Sequence, residues 1–524
     1  MGVSLGVMPH ALPRPGAEGQ RRGRIVVVAH LSSADPANSA AAAAEPGLLS
    51  VLAYATLHRM DRKSGRRRTL LTCVLIFALG APSRAEDDGP RVSIIRDAEI
   101  EQLLRDYTAP VLKAAGIHSE AAKIILVGDR SFNAFVADGQ KIFVNTGALM
   151  EAKTPNEIIG VLAHETGHIA GGHLARGRQE LAKATILSVA GMLASAGAMV
   201  AARGAFNRRD GQVGMDSAGA VGILLGPQEA VKRSLLAYQR GEEQAADRMA
   251  VRFLTATRQS AKGMLEVFNR FAGESLFKTT AIDPYLQSHP LPNERISNLD
   301  QAAKQSPYFD TPDAPALQAR HDLMRAKLVG FMGNSGEVAR RYPISDLSLP
   351  ARYARVIADN RFGRLEDALR GADALVAADP KNPYFWELKG QILLEAGRAD
   401  QAIAPLRKAA AIAGPKATPI RVLLGHALVS ADDPKLLNEA VSVLANATQR
   451  DEDSADAWEF LSMAYFRKGE NAKAQLAAAE GLFVAGKYVE ARTQATRAQA
   501  QFKEGTQGWL KADDILTYRP PGSE

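Results

Sequence analysis

Residues Thr154 to His168 read TPNEIIGVLAHETGH. Thr154 is a side-chain N-cap, Pro155 suits the first helical position, and Glu157 falls where a capping-box glutamate belongs. Ile158, Ile159, Val161, Leu162 and Ile169 follow at helical spacing and predict a buried stripe. His164 and His168, four positions apart, then share a face and can reach a single ion. Glu165 projects beside that ion, placed to take a proton from a water held there. This is the HExxH arrangement of zinc peptidases. The bland alternative is a solvent-facing polar pair on an ordinary helix, and the well-formed helix start counts against it.

A catalytic zinc needs a third protein ligand and an open position. A histidine six residues after His168 would complete the metzincin pattern, but that position is Leu174. His173 comes one residue early and reads as a helix-end or surface histidine. The other source is a carboxylate on a later helix. Glu243 and Asp247 are four apart in a stretch whose apolar spacing, Leu235 and Leu236 through Met249 and Phe253, is helical. One could bind the ion and the other hold a ligand histidine. Spacing alone favours the other reading, a solvated acidic face with Arg240 and Arg248 nearby.

HETGH followed about 75 residues later by Glu243-Gln244-Ala245-Ala246-Asp247 resembles the gluzincin peptidase family of HtpX and the CAAX prenyl endopeptidase. Asn133-Ala134-Phe135 and Val144-Asn145-Thr146-Gly147-Ala148-Leu149 look like that family's edge hairpin and following helix start. His289-Pro290 with Asn293-Glu294-Arg295-Ile296 looks like its HPxxxxRI segment. The resemblance implies His164, His168 and Glu243 as ligands of one Zn2+, Glu165 as general base and Asp247 as outer partner of a ligand. In one branch of that family, secreted and joined to repeats, a histidine after the glutamate ligand can occupy the metal's open position and hold the enzyme inactive, and His289 matches it. Oxyanion stabilisation or plain loop structure are the other roles for His289. Arg295 could stabilise developing negative charge or form a structural ion pair.

The chain has 64 Lys/Arg against 57 Asp/Glu. Residues 1–85 hold 11 of the former and 4 of the latter, the whole formal excess, and the remainder is neutral. The basic balance therefore points to no nucleic acid. Residues 60–85 read as a signal peptide: Arg62 to Arg68 is basic, Leu70 to Leu79 is apolar, and Ser83-Arg84-Ala85 offers a cleavage site. Residues 1–59, rich in Ala, Pro and Gly, read as an over-called or disordered extension. The single cysteine, Cys73, lies within that apolar stretch. A cysteine-free mature chain suits an oxidising compartment, and the periplasm is the expected location.

Internal repetition marks the C-terminal third. Trp386-x-x-Lys389-Gly390-x-x-Leu393 recurs as Trp458-x-x-Leu461-Ser462-x-x-Tyr465, with Gly425 between them. Ala368 and Ala402 are 34 apart, and Pro380 and Pro415 close successive units. This is tetratricopeptide periodicity, about four units over 350–500, and such arrays present a protein-binding surface. Thr185 to Ala202 carries no charge over 18 positions, at the lower limit for a membrane span. A buried or membrane-touching lid is expected there, with peripheral membrane contact, and disorder over 203–230.

The expected fold is mainly α (α+β). A gluzincin-type metalloprotease domain occupies 90–300, with a small edge strand pair around 123–145 beside the zinc cleft. A helical connection follows over 301–349, then an α-solenoid of tetratricopeptide repeats over 350–503 and a C-terminal tail over 504–524. A secreted gluzincin joined to such repeats resembles one branch of that family, and the resemblance implies a periplasmic zinc endopeptidase degrading misfolded or stalled outer-membrane proteins. The repeats would add a chaperone role and contact with the outer-membrane assembly machinery. Alternatives are an assembly scaffold with a largely silent metal site and an integral-membrane quality-control protease.

Overall fold

The helix announced by TPNEIIGVLAHETGH forms over Pro155–Gly171, with the Thr154 hydroxyl accepting from the Glu157 amide and Glu157 accepting from the Lys153 amide. Gly172, at φ 64°, ends it in the left-handed conformation. The helix is not amphipathic: every residue from Pro155 to Gly167 is buried. Two glycines allow that. A Cβ at Gly160 would stand 2.6 Å from Met264 Cβ, and one at Gly167 would stand 2.7 Å from the Ala246 carbonyl oxygen. Neighbouring helices therefore approach to backbone contact on two sides, and the histidines are fixed by packing on all sides.

The computed structural model describes residues 29–30, 93–118, 121–137, 139–187, 217–275 and 284–520. Most of the expected extension 1–59, the expected signal peptide 60–85 and most of 185–202 lie outside these residues. Of the stretch expected to be disordered, residues 217–230 are instead helical, as the start of a 40-residue helix. No helix among the described residues is long and apolar enough to cross a membrane.

Five strands form one sheet: β1 (Ala29–His30), β2 (Ile94–Arg96), β3 (Lys123–Val127), β4 (Ala134–Ala137) and β5 (Lys141–Asn145), in the order β1-β2-β3-β5-β4. β3 runs parallel to β5, and β4 closes an antiparallel hairpin on β5 with Phe135 opposite Phe143. The pair expected around 123–145 is thus three strands, and β4 is an edge. Six helices accompany the sheet along this part of the chain. They are α1 (Ala98–Ala114), α2 (Thr146–Glu151), α3 (Pro155–Gly171), α4 (Ser217–Ala256), α5 (Lys262–Ser275) and α6 (Pro284–Ser288), followed by α7 (Asn293–Lys304). A further helical stretch runs over 173–187.

The connection 301–349 is helical as expected, but it is more than a linker. Its helix α8 (Pro315–Met332) buries Leu323, Met324, Leu328 and Val329 in a cluster that also holds Val161 and Leu162 of α3. The same cluster continues into the repeats at Tyr353 and Phe385. At this junction the buried Lys327 ammonium lies 2.7 Å from Asp97 and 3.3 Å from Glu99, and the Tyr353 hydroxyl donates to Glu99. A buried cation so paired locks three segments together, because removing one partner strands the others.

After α9 (Ser335–Arg341), the repeats are five helix pairs, one more than the periodicity suggested. They are α10–α11 (Leu349–Arg361, Leu365–Ala378), α12–α13 (Pro383–Glu395, Ala399–Ala413), α14–α15 (Thr418–Ser430, Leu437–Arg450), α16–α17 (Ala455–Arg467, Asn471–Val484) and α18–α19 (Tyr488–Gln499, Gln507–Thr517). The fifth pair absorbs most of the stretch read as a tail, since Ala512 and Ile515 of α19 pack on Ala491 and Ala495 of α18. The small residues act where paired helices meet. A Cβ at Gly390 or Gly425 would stand 2.4 Å from Leu406 or Leu444, and the Ser462 hydroxyl donates to the Ala474 carbonyl. The indole N–H groups of Trp386 and Trp458 each donate to the carbonyl six residues earlier, Pro380 and Glu452.

Candidate metal centre

α3, α4 and the residue following α6 converge on one point. His164 and His168 come from α3, Glu243 from α4, and His289 from the segment after α6. His164 Nε2 lies 3.1 Å from His168 Nε2 and 3.3 Å from Glu243 Oε2, and His168 Nε2 lies 3.3 Å from Glu243 Oε1. His289 Nδ1 lies 3.3 Å from His164 Nε2 and 3.1 Å from Glu243 Oε2. Four donors about 2 Å from a common centre in tetrahedral array stand roughly 3.3 Å apart. These contacts, drawn on both Glu243 oxygens, lie near that edge, and all four residues offer a ligand atom within 4.8 Å of one another, so the cluster can hold a divalent cation.

Each further predicted residue has a definite place. Asp247 Oδ1 lies 2.9 Å from His164 Nδ1, the nitrogen that faces away from the cluster. Glu165 is fully buried, and neither of its carboxylate oxygens accepts a hydrogen bond among the described residues; His289 Nε2 stands 3.5 Å away. A buried carboxylate without a donor is costly, which marks Glu165 as held for another partner. Arg295 is 2 % exposed; its Nε and a terminal nitrogen donate to Asp247 at 2.6 and 2.9 Å, and its other terminal nitrogen lies 2.7 Å from Glu243. The geometry of Arg295 is therefore that of an ion pair with Asp247 and Glu243. It also donates to the Pro290 carbonyl at 3.0 Å, tying down the segment that carries His289.

The electrostatics follow from burial and pairing. Burial pulls the His164 imidazole down, but hydrogen bonds to Asp247 and Glu243 outweigh it and raise it to about 9. Burial lowers His168 to about 4, only partly offset by Glu243. Burial would raise Glu243, yet hydrogen bonds from His164, His168 and His289 hold its carboxyl well below the usual carboxylate range. Burial raises Glu165, against the opposing pull of His289 and His164. Two carboxylates that face the same His289 ring are thus shifted in opposite directions by their surroundings.

Three residues escaped the reading of the sequence. His173, expected at a helix end or the surface, is 6 % exposed and places Nδ1 2.9 Å from His168 Nδ1. Glu242 lies 2.7 Å from His173 Nε2. Tyr285 is buried, stacks with Phe271, and sets its ring 4.9 Å from that of His289, whose amide donates to the Tyr285 carbonyl. Gly171-Gly172 immediately before His173 was the available signal, since paired glycines permit a sharp return of the chain.

Residues 95–303 match peptidase family M48, and residues 353–418 match a tetratricopeptide repeat. The chain is 23% identical over 427 residues to the beta-barrel assembly-enhancing protease of Escherichia coli (strain K12), covering 79% of this chain and 81% of that one. It is 25% identical over 388 residues to the beta-barrel assembly-enhancing protease of Yersinia pestis, covering 73% and 75%.

Proposed function

We propose, from the match of residues 95–303 to peptidase family M48 and of residues 353–418 to a tetratricopeptide repeat, that the chain is a zinc-dependent endopeptidase of the periplasm. It acts on misfolded or stalled outer-membrane proteins, and its repeats engage those clients or their assembly machinery. The observation that carries the reading is the close cluster of His164, His168, Glu243 and His289 beside the Glu165 carboxylate, which accepts no hydrogen bond among the described residues. The similarity to beta-barrel assembly-enhancing proteases over most of the chain supports the client class. The leader-like residues 60–85 and the cysteine-free remainder support the compartment.

His164, His168 and Glu243 would hold the zinc. When bound, zinc supplies Lewis acidity, lowering the pKa of a water and polarising the scissile carbonyl. Glu165 accepts the proton of the attacking water and delivers it to the leaving amine. Its burial raises proton affinity toward what that exchange needs. β4 offers an unpaired edge on which an extended polypeptide can add as a strand, selecting unfolded chains over any one side chain. His289 would stand as a further donor to the ion, and its place beside Glu165 and Glu243 would then compete with substrate. Asp247 fixes His164, and Arg295 holds Asp247 and the Pro290 segment in place.

The fourth-position histidine together with five repeat pairs also favours a second reading, a client-binding scaffold whose metal site stays closed. Zinc-loaded Glu165→Gln decides between them. We expect it to retain zinc and lose cleavage of an unfolded outer-membrane protein. Cleavage at the wild-type rate removes Glu165 from the chemistry, and a wild type that binds the client without cutting it favours the scaffold.

A further inference from the structure

The outer nitrogens of the two α3 histidines are held in different ways. His164 Nδ1 meets a carboxylate directly, Asp247 at 2.9 Å. His168 Nδ1 meets a second imidazole, His173 Nδ1, also at 2.9 Å, and His173 Nε2 lies 2.7 Å from Glu242 Oε2. Glu242 is in turn held by Arg176 at 2.9 Å. We propose that His173, backed by Glu242, is a positioning residue that fixes the tautomer and ring orientation of His168. The inference rests on the zinc reading above, since His168 is a ligand only there.

One proton arrangement satisfies the whole chain. With His168 Nε2 turned to the cluster and free of a proton, its Nδ1–H donates to His173 Nδ1. His173 then carries its proton on Nε2 and donates it to the Glu242 carboxylate. Any other tautomer of His173 leaves two N–H groups facing each other across 2.9 Å. Glu242 therefore sets the His173 tautomer, and His173 sets that of His168. Such outer partners orient ligand histidines and raise their basicity.

The local backbone is shaped around this contact. Gly172, at φ 64°, turns the chain back at the end of α3 so that the imidazole of the next residue returns toward His168. Gly171 leaves the space it enters: a Cβ there would stand 2.1 Å from His173 Nε2 and 2.4 Å from Cδ2. Glu242 and Glu243 are consecutive on α4, so a single helix supplies both a ligand and the anchor behind another ligand. A surface histidine needs neither glycine. Both serve the His173 ring.

Zinc affinity, measured by competition with a chromophoric chelator, tests this on the full chain. His173→Phe fills the space without an acceptor and should weaken zinc binding roughly 10- to 100-fold. His173→Asn returns an acceptor near the Nδ1 position and should recover most of that loss. Glu242→Ala should weaken binding less than His173→Phe. The visible spectrum of the cobalt-substituted protein should shift for His173→Phe and stay near wild type for His173→Asn. Phe and Asn variants that bind zinc equally well, or equally poorly, overturn the inference, because packing alone would then explain the site. If His173→Phe fails to fold, wild-type affinity in Glu242→Ala overturns it. A wild-type chain that takes up no zinc removes the zinc reading itself, an outcome distinct from tight binding by every variant.

Discussion

His289 Nδ1 lies 3.1 Å from Glu243 Oε2, so a residue 46 positions beyond that glutamate joins His164, His168 and Glu243 as a fourth potential donor. Its ring is backed by Tyr285 and its segment is pinned by Arg295 through the Pro290 carbonyl. A donor placed this way competes with water and substrate for the ion. His289→Ala should therefore raise the initial rate of cleavage of an unfolded outer-membrane protein. Displacing a ligand worth about 1.4 kcal/mol gives a tenfold gain. A rate equal to or below wild type, with zinc still bound, would show that His289 does not close the site.

Arg295 neutralises Asp247 and Glu243 where water cannot. Arg295→Met keeps the volume but strands two buried carboxylates, and stranding buried charge costs about 3–5 kcal/mol. Zinc, bound at Glu243, should restore part of that stability. Urea unfolding with and without zinc reads both effects. A variant as stable as wild type without metal contradicts the account.

His321 gives the protein a pH dependence remote from the metal centre. Its Nε2–H donates to the Ala152 carbonyl at 3.0 Å and its Nδ1 accepts from the Tyr107 hydroxyl at 2.9 Å, which together hold the neutral ring. Burial lowers it to about 4. An unfolded histidine protonates near 6.5, so between those values the unfolded chain binds more protons and stability falls as pH falls. The full effect is on the order of 3 kcal/mol, complete near pH 4 and absent above pH 7. Stability of His321→Phe measured from pH 7 to 5 should show a shallower slope than wild type.

Gly160 separates close packing from helix propensity. Replacing a helical glycine by alanine ordinarily gains about 1 kcal/mol. At Gly160 the new methyl meets Met264 Cβ at 2.6 Å and its Cα at 2.8 Å, and overpacking a core costs about 1–3 kcal/mol. Gly160→Ala should thus lower the melting temperature. Gly177→Ala, in the helical stretch 173–187 with nothing within 4 Å, should raise it. The opposite order would show that α3 and α5 can separate freely.

The sequence by itself determined α3, its cap, the pair His164 and His168, and the tetratricopeptide character of the C-terminal third. These depend on i,i+4 geometry, capping and short-range repetition, which neighbouring residues specify. The resemblance carried Glu243 and Asp247, whose spacing alone left a solvated acidic face open. Only the tertiary structure decided the rest. It turned His173 inward, because the room made by Gly171 and the acceptor supplied by Glu242 come from different elements. It gave Arg295 two carboxylate partners on α4, buried α3 on every side, and drew α8 and the first repeat helices into the peptidase core. The second helix of a fifth pair, α19, formed where residues 504–524 read as a tail, because it is stabilised by packing on α18 and not by a motif of its own. Contacts between residues far apart in the chain leave little local trace, and in this protein they set the metal centre's outer surroundings.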